Sequence, residues 1–122
     1  SIEWLRIPAG GRVSRHRLHE KQVLIVKAGR LELGIETADG PASYALDGAA
    51  TAWDTFAIPG GCWRTMSNRG EGDALALLMT AGDHRKRIAW APEVVAAAAA
   101  IDVALDADGC VGIKRYIDRA QP

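Results

Sequence analysis

The chain has 122 residues, so a single domain is expected. Hydrophobic residues at 48% and charged residues at 25% are ordinary globular values, which exclude a disordered tail, a collagen-like fibre and a disulfide scaffold. The 15 basic and 15 acidic side chains sum to zero, which argues against a dedicated nucleic-acid binder.

In chain order, the opening stretch SIEWLRIPAG lacks a basic region followed by an apolar one, so no secretory signal is expected. Glycines then punctuate the first 80 residues at short intervals: Gly10-Gly11, Gly29, Gly34, Gly40, Gly48, Gly60-Gly61, Gly70 and Gly72. Short apolar or alternating runs lie between them, at 23–27, 31–37, 55–58 and 74–80. Their brevity and bounding turns predict strands rather than helices, and an all-β sandwich or barrel overall. After Gly82 the pattern changes. His84-Arg85-Lys86-Arg87 reads as a solvated linker. Pro92 stands where a first helical residue would, and Val94, Ala98, Ile101 and Leu105 recur at helical spacing, predicting a helix over about 92–105. Asp106 to Gly109 reads as a turn, and 111–117 as a short terminal strand. The expected organisation is a β-barrel over 1–82 and an extension over 83–122 that belongs to the same domain. The longest apolar run, 94–101, is far short of the roughly 20 residues needed to span a bilayer, so no membrane partner is expected. Cys62 and Cys110 read as free thiols of a cytoplasmic protein, with a single disulfide as the alternative.

Two stretches carry most of the chemistry. The first runs from Gly10 through His16, Leu18, His19, Glu20 and Gln22 to Gly29. The second runs from Asp54 through Pro59, Gly61, Cys62 and Arg64 to Asn68. Together they resemble the two signature motifs of the cupin superfamily, over about residues 3–82. Gly10 and Gly29 frame the first motif, and Pro59, Gly61 and Asn68 fall at the expected spacings of the second. The resemblance implies an antiparallel cupin-type β-barrel or jelly roll, here with a C-terminal α-helix, and a homodimer. In that setting the Ala-rich helix either caps the barrel or packs across the dimer.

The resemblance also implies a place for a divalent metal, held by three histidines and a glutamate. Only His16 matches that set. Leu18, Gln22 and Arg64 stand at the other three positions. Leucine has no lone pair, a glutamine carbonyl is a weaker ligand than a carboxylate, and a guanidinium repels a dication. No cofactor is therefore expected. The alternative is an irregular site for Fe, Mn, Ni or Zn, built from His16, His19 and Glu20 if a bulge near residue 18 re-aims a side chain.

The altered set suits a small polar or anionic ligand. Arg64 offers a planar fork for an anion, Gln22 can donate and accept, and His16 can move a proton, making it the candidate catalytic residue. Trp53 and Met66 are further candidates for the ligand-binding lining, with Tyr44, Phe56 and Trp63 as core aromatics. The expected function is a metal-independent single-domain cupin that binds, and as an enzyme converts, such a metabolite. The alternatives are a metal-dependent dioxygenase or isomerase, and a non-enzymatic sensor or interaction module with a filled barrel. In the inert reading Arg64 is structural, paired with an acid such as Asp54 or Glu20, because a buried arginine needs a partner.

Overall fold

A computed structural model of the protein describes residues 1–49, 53–82, 88–105 and 111–115. The predicted strands are present: β6 (Thr55–Ile58) and β8 (Ala74–Thr80) with the predicted bounds, and β3 (Gln22–Ala28) and β4 (Arg30–Thr37) with slightly wider ones. They are joined by β1 (Ile2–Ile7), β2 (Arg12–Arg17), β5 (Gly40–Asp47), β7 (Arg64–Ser67) and the two-residue β9 (Ala89–Trp90). These strands form two antiparallel sheets, one ordered β1-β8-β3-β6 and the other β5-β4-β7-β2-β9. Alternation explains the packing. Leu24 and Val26 of β3, Leu31, Leu33 and Ile35 of β4, and Met66 of β7 point inward and are buried in one core.

Gly29 permits the β3–β4 connection. Its φ is +73°, and a Cβ there would lie 2.5 Å from the carbonyl oxygen of Asp73. Asn68 secures the other end, as its motif position suggests. Its amide donates to the carbonyls of Ile7 and Gly72, and its side-chain oxygen accepts from the Gly70 N–H.

The helix α1 is shorter than predicted, spanning Pro92–Ala100. Ile101 and Leu105 fit the helical period, but Asp102 adopts φ +63° and turns the backbone out of the helix. A third, two-stranded sheet follows instead, in which β10 (Val103–Leu105) pairs with β11 (Val111–Ile113). The terminal strand thus ends at Ile113 among the described residues. The linker at 84–87 and Cys110 lie outside the described residues, while Cys62 is a free thiol. No helix among the described residues is long and apolar enough to cross a membrane.

Candidate functional site

The site forms where β2, β3 and β7 meet inside the sandwich. A bulge in β2 sets its geometry. Val13 pairs with Met66 and His16 with Arg64, so two residues separate the β2 partners where one separates those of β7. The extra residue lets Val13 and His16 both face inward. The bulge therefore lies at Ser14 and Arg15, not near residue 18.

His16 is only 5% exposed. Its Nδ1 lies 2.7 Å from the carbonyl oxygen of Ser14. A carbonyl only accepts, so Nδ1 carries the hydrogen and Nε2 keeps a lone pair. Burial pushes the imidazole pKa down. The Ser14 hydrogen bond opposes this and the positive charge of Arg64 adds to it, so the net shift is downward. The ring is neutral at pH 7. Trp90 on β9 packs against it, with centroids 5.3 Å apart and the ring planes tilted by 49°.

Gln22 and Arg64 are 4% and 1% exposed. The Arg64 Nη1 donates to Gln22 Oε1 at 2.7 Å, and Gln22 Nε2 donates to Thr80 Oγ1 at 3.0 Å. The rest of the guanidinium turns to backbone: Nη2 donates to the carbonyls of Pro59 (3.1 Å) and Cys62 (3.2 Å), and Nε to that of Cys62 (3.3 Å). All these acceptors are neutral. The expected acid partners are engaged elsewhere or apart. The Asp54 carboxylate accepts from the Asp47 N–H, and Glu20 sits in the loop before β3, against Gly82. Burial lowers the Arg64 pKa, while Cys62 opposes that shift; a guanidinium stays charged at neutral pH regardless.

A cavity of about 180 Å³ opens beside these residues, lined by His16, Leu18, Gln22, Met66, Trp4 and Trp90 among others. His16, Gln22 and Met66 thus line one cavity. Two candidates do not. Arg64 does not line the cavity, because its guanidinium points to Pro59 and Cys62 and acts on the site through Gln22. Trp53 is 58% exposed and lies outside the sandwich, 5.8 Å from the Lys27 ammonium. A larger groove of about 370 Å³, between β2, α1 and the β10–β11 pair, is lined mainly by valines and alanines and holds none of the candidate site residues. Trp90, Trp4 and Thr80 were not among the expected site residues. Trp90 reaches His16 only through the β2–β9 pairing, for which two residues of strand give no periodic signal.

The residues do not fit the divalent metal that the motif resemblance implies. Leu18 fills one donor position with a buried isobutyl group, and Arg64 fills another with a cation. The irregular set does not converge either, since His16 faces the cavity while His19 is exposed. Among the described residues, no three His, Cys, Asp or Glu side chains group as metal ligands.

No protein-family model matches the chain, and no curated protein matches it. Solved structures do. An oxalate oxidase superposes with a TM-score of 0.66 at 21% identity, over 78% of this chain and 47% of that one. The capsular polysaccharide assembling protein CapF from Staphylococcus aureus gives 0.62 at 15% identity, over 70% of this chain and 25% of that one. Drosophila melanogaster CENP-C, bound to CAL1, gives 0.59 at 12%, over 66% and 63%. The chain thus spans about a quarter of CapF and about half of the oxalate oxidase. Two packed antiparallel sheets and these superpositions together show that the chain has the double-sheet jelly-roll fold of these solved structures.

Proposed function

We propose that this cupin domain binds a small organic molecule in the barrel without a metal. The ligand has an apolar body and a polar or anionic head. The observation that carries this reading is the buried His16, whose Nδ1 donates to the Ser14 carbonyl so that Nε2 is left as an acceptor beside a partly open cavity. A ligand hydroxyl donates to Nε2. The second amide hydrogen of Gln22 donates to a ligand oxygen. The Arg64 charge behind Gln22 favours negative charge at that oxygen. The hydrophobic body packs on Leu18, Met66 and Trp90. A cavity of about 150 Å³ holds a benzene ring, so this one suits roughly six to ten heavy atoms. In the enzymatic form of the same reading, the neutral imidazole takes a proton from the bound hydroxyl or from the carbon beside it.

The test is a thermal-shift panel of four- to eight-carbon hydroxy and carboxylic acids on chelator-treated protein. A ligand at 100 times its Kd adds about 2.7 kcal/mol, a shift on the order of 10 °C for a domain of this size. At least one panel member is expected to give such a shift, and His16→Asn to remove it. A shift that requires added divalent metal overturns the proposal.

A second reading, an interaction module without chemistry, is favoured by the saturation of the Arg64 guanidinium by Gln22, Pro59 and Cys62. CENP-C, which shares the fold, is bound to another protein, CAL1. A panel with no shift at all supports this reading over the first.

A further inference from the structure

The apolar groove beside α1 has the make-up of a ligand site distinct from the cavity at His16. The helix carries one charged side chain, Glu93, and is otherwise proline, valine and alanine, yet none of its nine residues is buried. A helix that is apolar on every face is ordinarily enclosed by its own domain. Here the Arg15–Glu93 ion pair ties its first turn to β2, its side packs on β10, and the groove of about 370 Å³ lies between. Val94 and Ala98 of α1 form one wall, Val103 and Leu105 of β10 another, and Trp90 closes the side toward the barrel. Val95 and Val111 also line the groove and are 46% and 69% exposed. Covering such side chains with an apolar chain is favourable by the area removed from water.

One cation lines the groove, Arg12 of β2, and among the described residues no carboxylate does. The other arginines of the two main sheets are engaged. Arg6, Arg15 and Arg30 pair with carboxylates, Arg17 lies over the Trp63 ring, and Arg64 donates to Gln22. The Arg12 guanidinium has no ion pair, hydrogen bond or ring contact among the described residues. Ser14 lines the groove as well, and its hydroxyl is likewise without a hydrogen bond among them.

We infer that this groove binds a single medium-chain aliphatic carboxylate, with the chain along α1 and β10 and the head on Arg12 and Ser14. Charge complementarity selects this occupant. The guanidinium fork matches two carboxylate oxygens, and the serine hydroxyl adds a third donor. A membrane surface would meet one cation here, whereas electrostatic attachment to anionic lipid draws on a cluster of them. A cavity of about 150 Å³ holds a benzene ring, so this groove has room for about 15 heavy atoms, and its open side sets the chain at roughly eight to twelve carbons. The inference does not rest on the ligand proposed for the cavity. Trp90 and Val13 line both spaces, so a signal from Trp90 does not tell them apart, and the discriminating residues are those that line only one.

Backbone amide NMR of the full chain with decanoate, kept below its micelle concentration, tests the inference. Decanoate is expected to shift the amides of Ala98, Leu105 and Val111 with one dissociation constant on the order of 100 µM, and to leave Leu18 and Gln22 in place. Arg12→Gln is expected to raise that constant roughly tenfold, and Arg12→Lys, which keeps the charge, to hold it within about threefold. Decyltrimethylammonium, with the same chain and the opposite charge, is expected to bind roughly tenfold more weakly than decanoate. Arg12 is exposed, so these variants leave the fold intact. No shift at the groove overturns the inference. So do shifts at Leu18 and Gln22 in place of the groove residues, an unchanged constant in Arg12→Gln, or equal binding of the cationic amphiphile.

Discussion

Arg64 stands where the motif resemblance implies a metal-ligating histidine. It carries a full charge at 1% exposure, with an amide oxygen and backbone carbonyls as acceptors. A buried charge without a counter-charge is held at a cost that well-made hydrogen bonds only partly offset. Gln22→Glu supplies a carboxylate at the 2.7 Å contact and accepts from Thr80 instead of donating to it. The variant is expected to gain about 1–3 kcal/mol in urea unfolding at pH 7. Pairing with Arg64 depresses the folded pKa of the new carboxylate below its unfolded value of about 4.3. The gain is therefore present above that value and is lost as pH falls through the folded pKa. Lower stability at pH 7 contradicts the reading of Arg64 as uncompensated. His16 makes a second prediction at this scale. Burial, with Arg64 adding to it, lowers its folded pKa below the unfolded value of about 6.5. Between the two values the unfolded chain binds more protons, so stability is full above about 6.5 and falls as pH drops below it. His16→Gln is expected to flatten that part of the pH–stability profile, and an unchanged slope contradicts the assignment.

At the scale of elements, the turn at 59–61 holds the loop that carries Leu18 and His19. A Cβ on Gly60 would lie 2.2 Å from the His19 carbonyl oxygen, and the Gly61 N–H donates to the Leu18 carbonyl at 2.6 Å. This contact keeps Leu18 in the cavity and His19 outside it. Gly60→Ala is expected to cost about 2–4 kcal/mol by chemical denaturation, because backbone rather than a flexible side chain must yield. Unchanged stability would show that the loop is not clamped there. The same elements show what sequence conveys. β3, β4, β6 and β8 were legible because glycines bound runs with one clear period, and the Pro59, Gly61 and Asn68 spacing marked the turns. Three features were not legible. The β2 bulge depends on which β7 residues lie opposite it. The end of α1 depends on a β10–β11 pairing that competes with continued helix for Ile101 to Leu105. The partners of Arg64 are mostly backbone carbonyls, which side-chain identities do not reveal.

At the scale of the molecule, the zero net charge is a sum of two opposed segments. Residues 12–30 carry six Lys or Arg and one acid, and 31–63 carry five acids and no Lys or Arg. Antiparallel pairing brings them together on the surface, as Arg15 with Glu36 at 3.0 Å and Arg30 with Asp47 at 3.6 Å. Such exposed pairs add little stability, but they take the basic segment away from the cavity, which no lysine or arginine lines. Positive potential at the site comes from Arg64 alone among the groups shifting His16. The central claim is that the cavity takes a ligand head at His16 without a metal. Nitrogen NMR of the His16 ring in chelator-treated protein at pH 7 tests it most directly. The account predicts a neutral ring protonated at Nδ1, with the Nε2 resonance moving as the best-shifting hydroxy acid is added. A ring protonated at Nε2, or a resonance that moves only when a divalent metal is supplied, would contradict it.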